Sequence, residues 1–192
     1  MMKTEIAPLH SKLLHTLRLL LRPPTMADSE AVFAWSSDPE VTRYLRYQTH
    51  NSITHTRKIV KSWITQAKDP YFFFWIIEEI STEQAVGSIG IQVVSFNDNH
   101  GEVGYCFNRS VWNKGYCTEA LKEILRFGFE EARFNRIQAS HSTNNPASGR
   151  VMEKAGMMRE GGPMKDFYKS LQSGYQDTYL YGITKAAWRL LH

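Results

Sequence analysis

Two cysteines in 192 residues exclude a good deal. Cys106 and Cys117 supply neither a disulfide framework nor a thiolate metal centre. No His/Cys/Asp cluster has ligand spacing, so no metal is implied. No apolar run approaches the ~20 residues that span a bilayer. The strongest run, Tyr71-Phe-Phe-Phe-Trp-Ile-Ile77, has strand length and reads as a buried strand. Residues 1–16 carry His10, Lys12 and His15 without a continuous apolar stretch. No signal peptide is expected there, and cytoplasmic residence is the simplest reading. A dense Lys/Arg block is also missing. The net charge of +4 is spread along the chain, which suits an anionic cofactor or acidic partner without arguing for direct nucleic-acid binding. Neither G-x-x-x-x-G-K-[ST] nor G-x-G-x-x-G occurs, so a P-loop is excluded and a dinucleotide fold is unsupported.

What remains is ordinary globular material, 42% hydrophobic and 22% charged. It shows no repeat, low-complexity segment or linker, and a single domain over 1–192 is expected, with 1–15 as an N-terminal extension. Thr16–Leu21 reads as a first strand ended by Pro23-Pro24, and Asp28 as the cap of a helix carrying Ala31, Ala34 and Trp35. Pro39 opens a short helix. Ser52 opens a longer one, with Ile53, Val60, Trp63, Ile64 and Ala67 on one face. Three strands follow at 71–80, 85–96 and 102–109, with Asn97–Gly101 as a hairpin connection. A helix from Thr118 to about Glu131 buries Leu121, Ile124, Leu125 and Gly128. Arg136–His141 is a strand. Asn145 caps the next helix, Pro146 begins it and Gly156 closes it. Tyr175–Ile183 is the last strand. The order of elements is mixed α/β.

Residues 112–118, Trp-Asn-Lys-Gly-Tyr-Cys-Thr, sit between a strand (Val103, Tyr105, Phe107) and an amphipathic helix. A tight loop feeding a helix N-terminus collects unpaired N–H groups at the positive end of the helix dipole, which is an anion site suited to phosphate or pyrophosphate. Gly115 lets backbone approach such a ligand, and Lys114 adds charge beside it. Taken alone, Asn113–Gly115 is a surface turn.

Its company changes that reading. Gly101-Glu-Val-Gly-Tyr-Cys-Phe, Trp112-Asn-Lys-Gly-Tyr-Cys-Thr-Glu-Ala120, Asn145-Pro-Ala-Ser148 and Val151-Met-Glu-Lys-Ala-Gly156-Met together resemble the GNAT superfamily of acyl-CoA-dependent N-acetyltransferases. Within it, the chain is most similar to the branch that includes the ribosomal-protein N-terminal acetyltransferases. The resemblance runs from about Leu17 to Ile183. It departs from the usual Gln/Arg-x-x-Gly-x-Gly/Ala loop at Trp112, which removes a polar side chain, and at Cys117, which is slightly larger than Gly or Ala.

The resemblance implies a mostly antiparallel sheet in which two central parallel strands, 102–109 and 136–142, splay around acetyl-CoA as co-substrate. It implies that the loop Trp112, Asn113, Lys114, Gly115, Tyr116, Cys117 and Thr118 holds pyrophosphate, with donors from Lys114 to Thr118. It places the strand edge at Tyr105, Cys106 and Phe107 against the pantetheine amides. Asn145 would contact the CoA arm, and Ser148 would lie near the sulfur and protonate the leaving thiolate. Local chemistry alone reads Ser148 as an ordinary first-turn serine. Glu102 is a candidate general base, acting through water, against the reading of a solvated strand-end charge. His141 competes for that role. Cys117 at a helix N-terminus invites a nucleophile, but no nearby base is visible, and packing with direct transfer in a ternary complex is the better reading. Trp35, Tyr44 and Tyr47 would wall the acceptor side, while Phe167, Tyr168 and Tyr175 would close the other. The acceptor is then a primary amine, on a protein N-terminus or on a small molecule such as a polyamine, amino acid or aminoglycoside. A non-catalytic acyl-CoA sensor is the alternative of another class. No membrane partner is expected, and a homodimer is open.

Overall fold

In a computed structural model the chain is described over residues 6–191. One sheet runs through the molecule, with helices on both faces. Its strands are β1 (Leu14–His15), β2 (Leu19–Arg22), β3 (Phe73–Glu79), β4 (Gln84–Ser95), β5 (His100–Phe107), β6 (Arg136–Ser142), β7 (Met158–Ser170) and β8 (Gly174–Thr184). They lie in the order β1-β2-β3-β4-β5-β6-β8-β7. Every neighbouring pair is antiparallel except β5 and β6.

That exception shapes the molecule. β5 and β6 pair only at His100↔Arg136, Gly101↔Ile137 and Glu102↔Gln138. Beyond Glu102 they separate, while β4 stays on β5 and β8 stays on β6. The sheet is forked in the middle, as the resemblance implied.

Helices α1 (Ser29–Ser36), α2 (Pro39–Thr42) and α3 (Ile53–Gln66) precede β3. Val32, Trp35 and Val60 pack with Ile76 into a small core that Phe74, Ala85 and Cys106 join from the sheet. The opposite face carries α4 (Tyr116–Arg126), α5 (Pro146–Lys154) and α6 (Lys185–Leu191). There α4 sets Ala120, Leu121, Ile124 and Leu125 into the main core with Trp75, Ile89, Ile91 and Ile137. That spacing is one face of a helix.

Several sequence expectations are corrected. Thr16–Leu21 is not one strand: Thr16 N–H bonds Leu19 C=O at 2.9 Å, so a turn divides β1 from β2. Asp28 makes no side-chain cap for α1. Its carboxylate instead takes Thr25 N–H at 2.6 Å and the Arg22 guanidinium at 2.7 Å. The helix expected to start at Thr118 starts at Tyr116, and its α-helical part ends at Arg126. A π-turn over Phe127–Glu131 continues it, in which Ala132 N–H reaches Phe127 C=O five residues back. This extra residue in the turn lets Phe127 and Phe129 both be buried. β7 was missed because Met158-Arg-Glu-Gly-Gly-Pro carries no alternation and lies on an edge whose register with β8 shifts three times. The Ser52 cap (Ser52 Oγ accepts from His55 N–H at 3.2 Å), the Asn145 cap and Gly156 at φ +90° stand where expected.

Candidate active site

The loop from β5 to α4 is built on left-handed backbone, with φ of 62° at Asn113 and 81° at Gly115. Glycine adopts it without strain, and asparagine tolerates it. The first intrahelical bond of α4 runs from Glu119 N–H to Gly115 C=O at 3.0 Å. The N–H groups of Tyr116, Cys117 and Thr118 therefore have no helical carbonyl to meet, and they sit at the positive end of the dipole. Trp112 does not face this cradle with a polar group; its indole N–H donates to Phe107 C=O at 3.0 Å and closes the end of β5.

The brace of this loop escaped the sequence reading. Arg18 donates to Lys114 C=O at 2.9 Å and to Glu119 at 2.7 Å, and it lies 4.5 Å above the Tyr116 ring. The Tyr116 hydroxyl in turn donates to Glu79. Burial alone would raise the Glu119 carboxyl. The Thr16 hydroxyl and the Arg18 main chain and guanidinium outweigh it and hold the group below its ordinary 4.5. A depressed carboxyl contributes stability above the unfolded pKa and loses it as pH falls through the folded one. Glu119→Gln is therefore expected to lower the melting temperature at pH 7. The gap to wild type should close as melts are repeated below pH 4.5, and a gap constant with pH would refute the brace. An acidic residue in the first turn was the available sequence signal.

β5 divides its residues between the two faces of the sheet. Val103 is buried in the main core and Tyr105 reaches α5, so Glu102, Gly104 and Cys106 face α1–α3. Main-chain direction alternates as well. Asn108 N–H bonds Val86 C=O at 2.9 Å, so Cys106 turns its amide and carbonyl toward β4, whereas Tyr105 and Phe107 turn theirs into the fork. Of the three residues expected against the cofactor arm, Tyr105 has its main-chain groups available and Phe107 its N–H, the Phe107 carbonyl being taken by the Trp112 indole. Cys106 has none available, and its thiol meets the Tyr47 hydroxyl at 3.6 Å on the other face. Burial pushes the Cys106 thiol up to about 11.

Ser148 lies where the α5 N-terminus meets the fork. Its Oγ is 2.9 Å from the Tyr105 hydroxyl, which also donates to Ser148 C=O at 3.1 Å. Asn145 Oδ1 accepts from Ser148 N–H at 3.4 Å. Burial, then the neighbouring Cys117, raises the Tyr105 phenol, so it stays protonated. Cys117 itself is pushed well above the ordinary thiol value by burial and then by Cys106. A thiol held neutral is a poor nucleophile.

Glu102 marks the point where the strands part. It accepts from Gln138 Nε2 at 3.2 Å and Ser140 Oγ at 3.3 Å, both reaching across the fork from β6. His141 does not join them. It lies on the opposite face under Gly149, where a Cβ would come within 2.6 Å of its Nε2. Its Nδ1 is 2.7 Å from Ser142 C=O, and burial lowers its pKa. The expected wall of aromatics is partly assembled. Tyr168 donates to Tyr44 C=O at 2.7 Å and Tyr47 closes on Cys106, while Trp35 is core and Tyr175 is exposed. The tip of the β7–β8 hairpin clasps the loop before α3: Ser170 and Ser173 donate to Arg43 C=O, and Gln172 donates to Tyr47 C=O and Thr49. Among the described residues, no cluster of three or more His, Cys, Asp or Glu could hold a metal. No helix among them is long and apolar enough to cross a membrane.

A forked mixed sheet with an anion cradle at one helix N-terminus and hydroxyls at another defines the acyl-CoA transferase class of fold. Residues 18–158 match the acetyltransferase (GNAT) domain, and the chain belongs to that family: it is an acyl-CoA-dependent N-acetyltransferase. It is 32% identical over 174 residues to the uncharacterized N-acetyltransferase YoaA of Bacillus subtilis (strain 168), covering 90% of this chain and 97% of the relative. A GNAT-family acetyltransferase structure from Bacillus anthracis superposes with a TM-score of 0.78 at 30% identity, covering 91% of this chain and 99% of that one. RimL, a ribosomal alpha-N-protein acetyltransferase in complex with coenzyme A, shares the fold with a TM-score of 0.79 at 18% identity, covering 90% and 98%.

Proposed function

We propose that the protein transfers the acetyl group of acetyl-CoA to the N-terminal α-amine of a protein, by direct attack in a ternary complex. The observation that carries this reading is the fork, which opens between an N–H cradle and a pair of hydroxyls on one side and a carboxylate on the other. The N–H groups from Lys114 to Thr118 hold the pyrophosphate. Tyr105 and Phe107 pair with the pantetheine amides, one N–H polarising the thioester oxygen. Asn145 orders the first turn of α5 beside the arm, and Ser148, positioned by Tyr105, protonates the departing thiolate. Glu102, through water, accepts the proton of the attacking amine.

Charge favours a protein terminus over a polyamine. Three acidic residues near the acceptor side are already paired: Asp38 with Arg109 at 3.0 Å, Glu40 with Arg43 at 3.8 Å, and Asp177 with Lys165 at 2.5 Å. Arg46 and Lys169 add positive charge around the clasp, lying over Tyr168 and Tyr175. Among the described residues, Glu102 and Asp166 are left without a salt bridge there, and two carboxylates hold a small polycation less well than an acidic pocket would. An α-amine, with a pKa of roughly 7.7–8.0 against about 10.4 for an alkylamine, also asks less of a base acting through water.

The deciding experiment is acetyl-CoA-dependent thiol release with peptides bearing ribosomal-protein N-termini, polyamines and aminoglycosides. Selective turnover of peptides supports the proposal, and polyamine or aminoglycoside turnover replaces it with the small-amine reading. Tight CoA binding with no turnover of any amine points to a sensor. Glu102→Gln should lower kcat/KM for the peptide at pH 7, by less than the ~100-fold of a directly engaged base. Because the neutral amine fraction rises with pH, the deficit should shrink by pH 9. A deficit independent of pH would remove Glu102 from proton transfer.

A further inference from the structure

Gly104 is the first residue of β5 beyond the last β5–β6 pair, and it faces the same side as Glu102 and Cys106. A Cβ built there meets nothing within 4 Å, whereas one at its cross-strand neighbour Gly90 would lie 3.0 Å from Phe74 Cδ2. The space above Gly104 is therefore open, and the aromatic side chain of Phe74 bounds it on the β3 side. Along the strand it is bounded by Glu102, tied across the fork to Gln138 and Ser140, and by Cys106, roofed by the Tyr47 hydroxyl. At about 3.3 Å per residue the two boundaries stand ~13 Å apart, with Gly104 midway. The hairpin clasp holds Tyr47 in place through its own carbonyl, which Gln172 engages at 3.1 Å.

We propose that Gly104 is the specificity-determining position of the acceptor site. The missing side chain forms the trough in which the carbon bearing the amine rests, beside Glu102 and opposite the hydroxyls of Ser148 and Tyr105 across the sheet. This rests on the acetyl-transfer reading above. It adds that acceptor size is limited from the floor, by one strand position, while the cofactor is held from the other face. A Cβ at Gly104 enters the trough with no atom beyond its chain neighbours within 4 Å, so substitution there starts from open space. β-branched residues also suit a strand.

The test uses the full chain with Gly104→Ala and Gly104→Val, and measures CoA affinity by calorimetry and steady-state kinetics with the best amine of the panel. Valine should lower kcat/KM for the amine about tenfold or more, chiefly through KM, and alanine should lower it less. CoA affinity and the melting temperature should stay at wild-type values. An unchanged kcat/KM in the valine variant overturns the assignment, as does a loss of CoA affinity, which would mean the glycine serves the cofactor. Wild-type silence toward every amine overturns the parent reading and this one with it. Wild-type turnover with an indifferent valine variant overturns this one alone.

Discussion

Gly115→Asp should abolish coenzyme A binding while leaving the fold in place. Two effects act together. An L-residue at φ 81° carries a left-handed penalty of roughly 1–2 kcal/mol. A carboxylate about 4 Å from pyrophosphate adds repulsion of about 4 kcal/mol at an effective dielectric near 20. A Cβ at Gly115 would also stand 3.5 Å from the Arg18 guanidinium, so the new carboxylate competes with Lys114 and Glu119 for the brace. Since 1.4 kcal/mol is tenfold in affinity, the loss should exceed about a hundredfold. Gly115→Asn separates the causes: it has the same shape and tolerates the left-handed region, but carries no charge. Calorimetric titration with CoA should rank glycine first, asparagine second and aspartate a distant third. Equal affinity in glycine and aspartate would remove the loop from the cofactor site.

Ser148→Ala should lower kcat by about a hundredfold with CoA affinity kept, the loss expected when a general acid is removed. The substitution leaves the Tyr105 hydroxyl its bond to the carbonyl of residue 148 at 3.1 Å, so the tyrosine has no reason to move. Tyr105→Phe is the companion variant. If the tyrosine only positions the serine, its removal should cost less than loss of the serine, and the double variant should fall no further than Ser148→Ala. If Tyr105→Phe is the more severe, the proton comes from the phenol and Ser148 is its support. Replacing acetyl-CoA by a thioester with a more acidic leaving thiol should narrow every one of these differences, because a better leaving group needs less protonation.

The resemblance carried by residues 101–107, 112–120 and 145–157 marked out the fork, the loop and the serine, because each depends on short-range chemistry: glycine at a left-handed turn, hydroxyl and amide side chains at a helix start, alternation along a strand. What the residues alone could not show lies across long separations. Arg18 meets Glu119 101 positions away, and the Tyr168 hydroxyl meets Tyr44 124 positions away. No local pattern announces either contact. Strand parity then decided two assignments. His141 and Glu102 are both on the splayed strands, but one residue of register separates a side chain facing α5 from one facing α3. The resemblance implies Cys106 beside Tyr105 and Phe107 against the cofactor arm, and the same alternation turns its main chain away from the gap. β7 was lost because glycine, proline and charge on an edge strand read as loop until β8 pairs with them.

The fork has a last consequence. Strand edges normally lie at the rim of a sheet, where proteins guard them with charge, bulges or brevity, since an unpaired edge is a template for a foreign strand. Here two such edges, along β5 and β6 beyond Glu102, face each other in the middle of the sheet. They carry no such guards. α4 and α5 lie above them, and the loop clasped by the β7–β8 hairpin lies below. An invading polypeptide would have to place side chains alternately into both layers, so that one set would meet α4 and α5 and the other the clasped loop. A thin thread bearing amides but no side chains meets no such obstacle. The geometry is thus a filter against self-association: it leaves the hydrogen-bonding groups of an open edge usable by a small ligand while denying them to another protein chain.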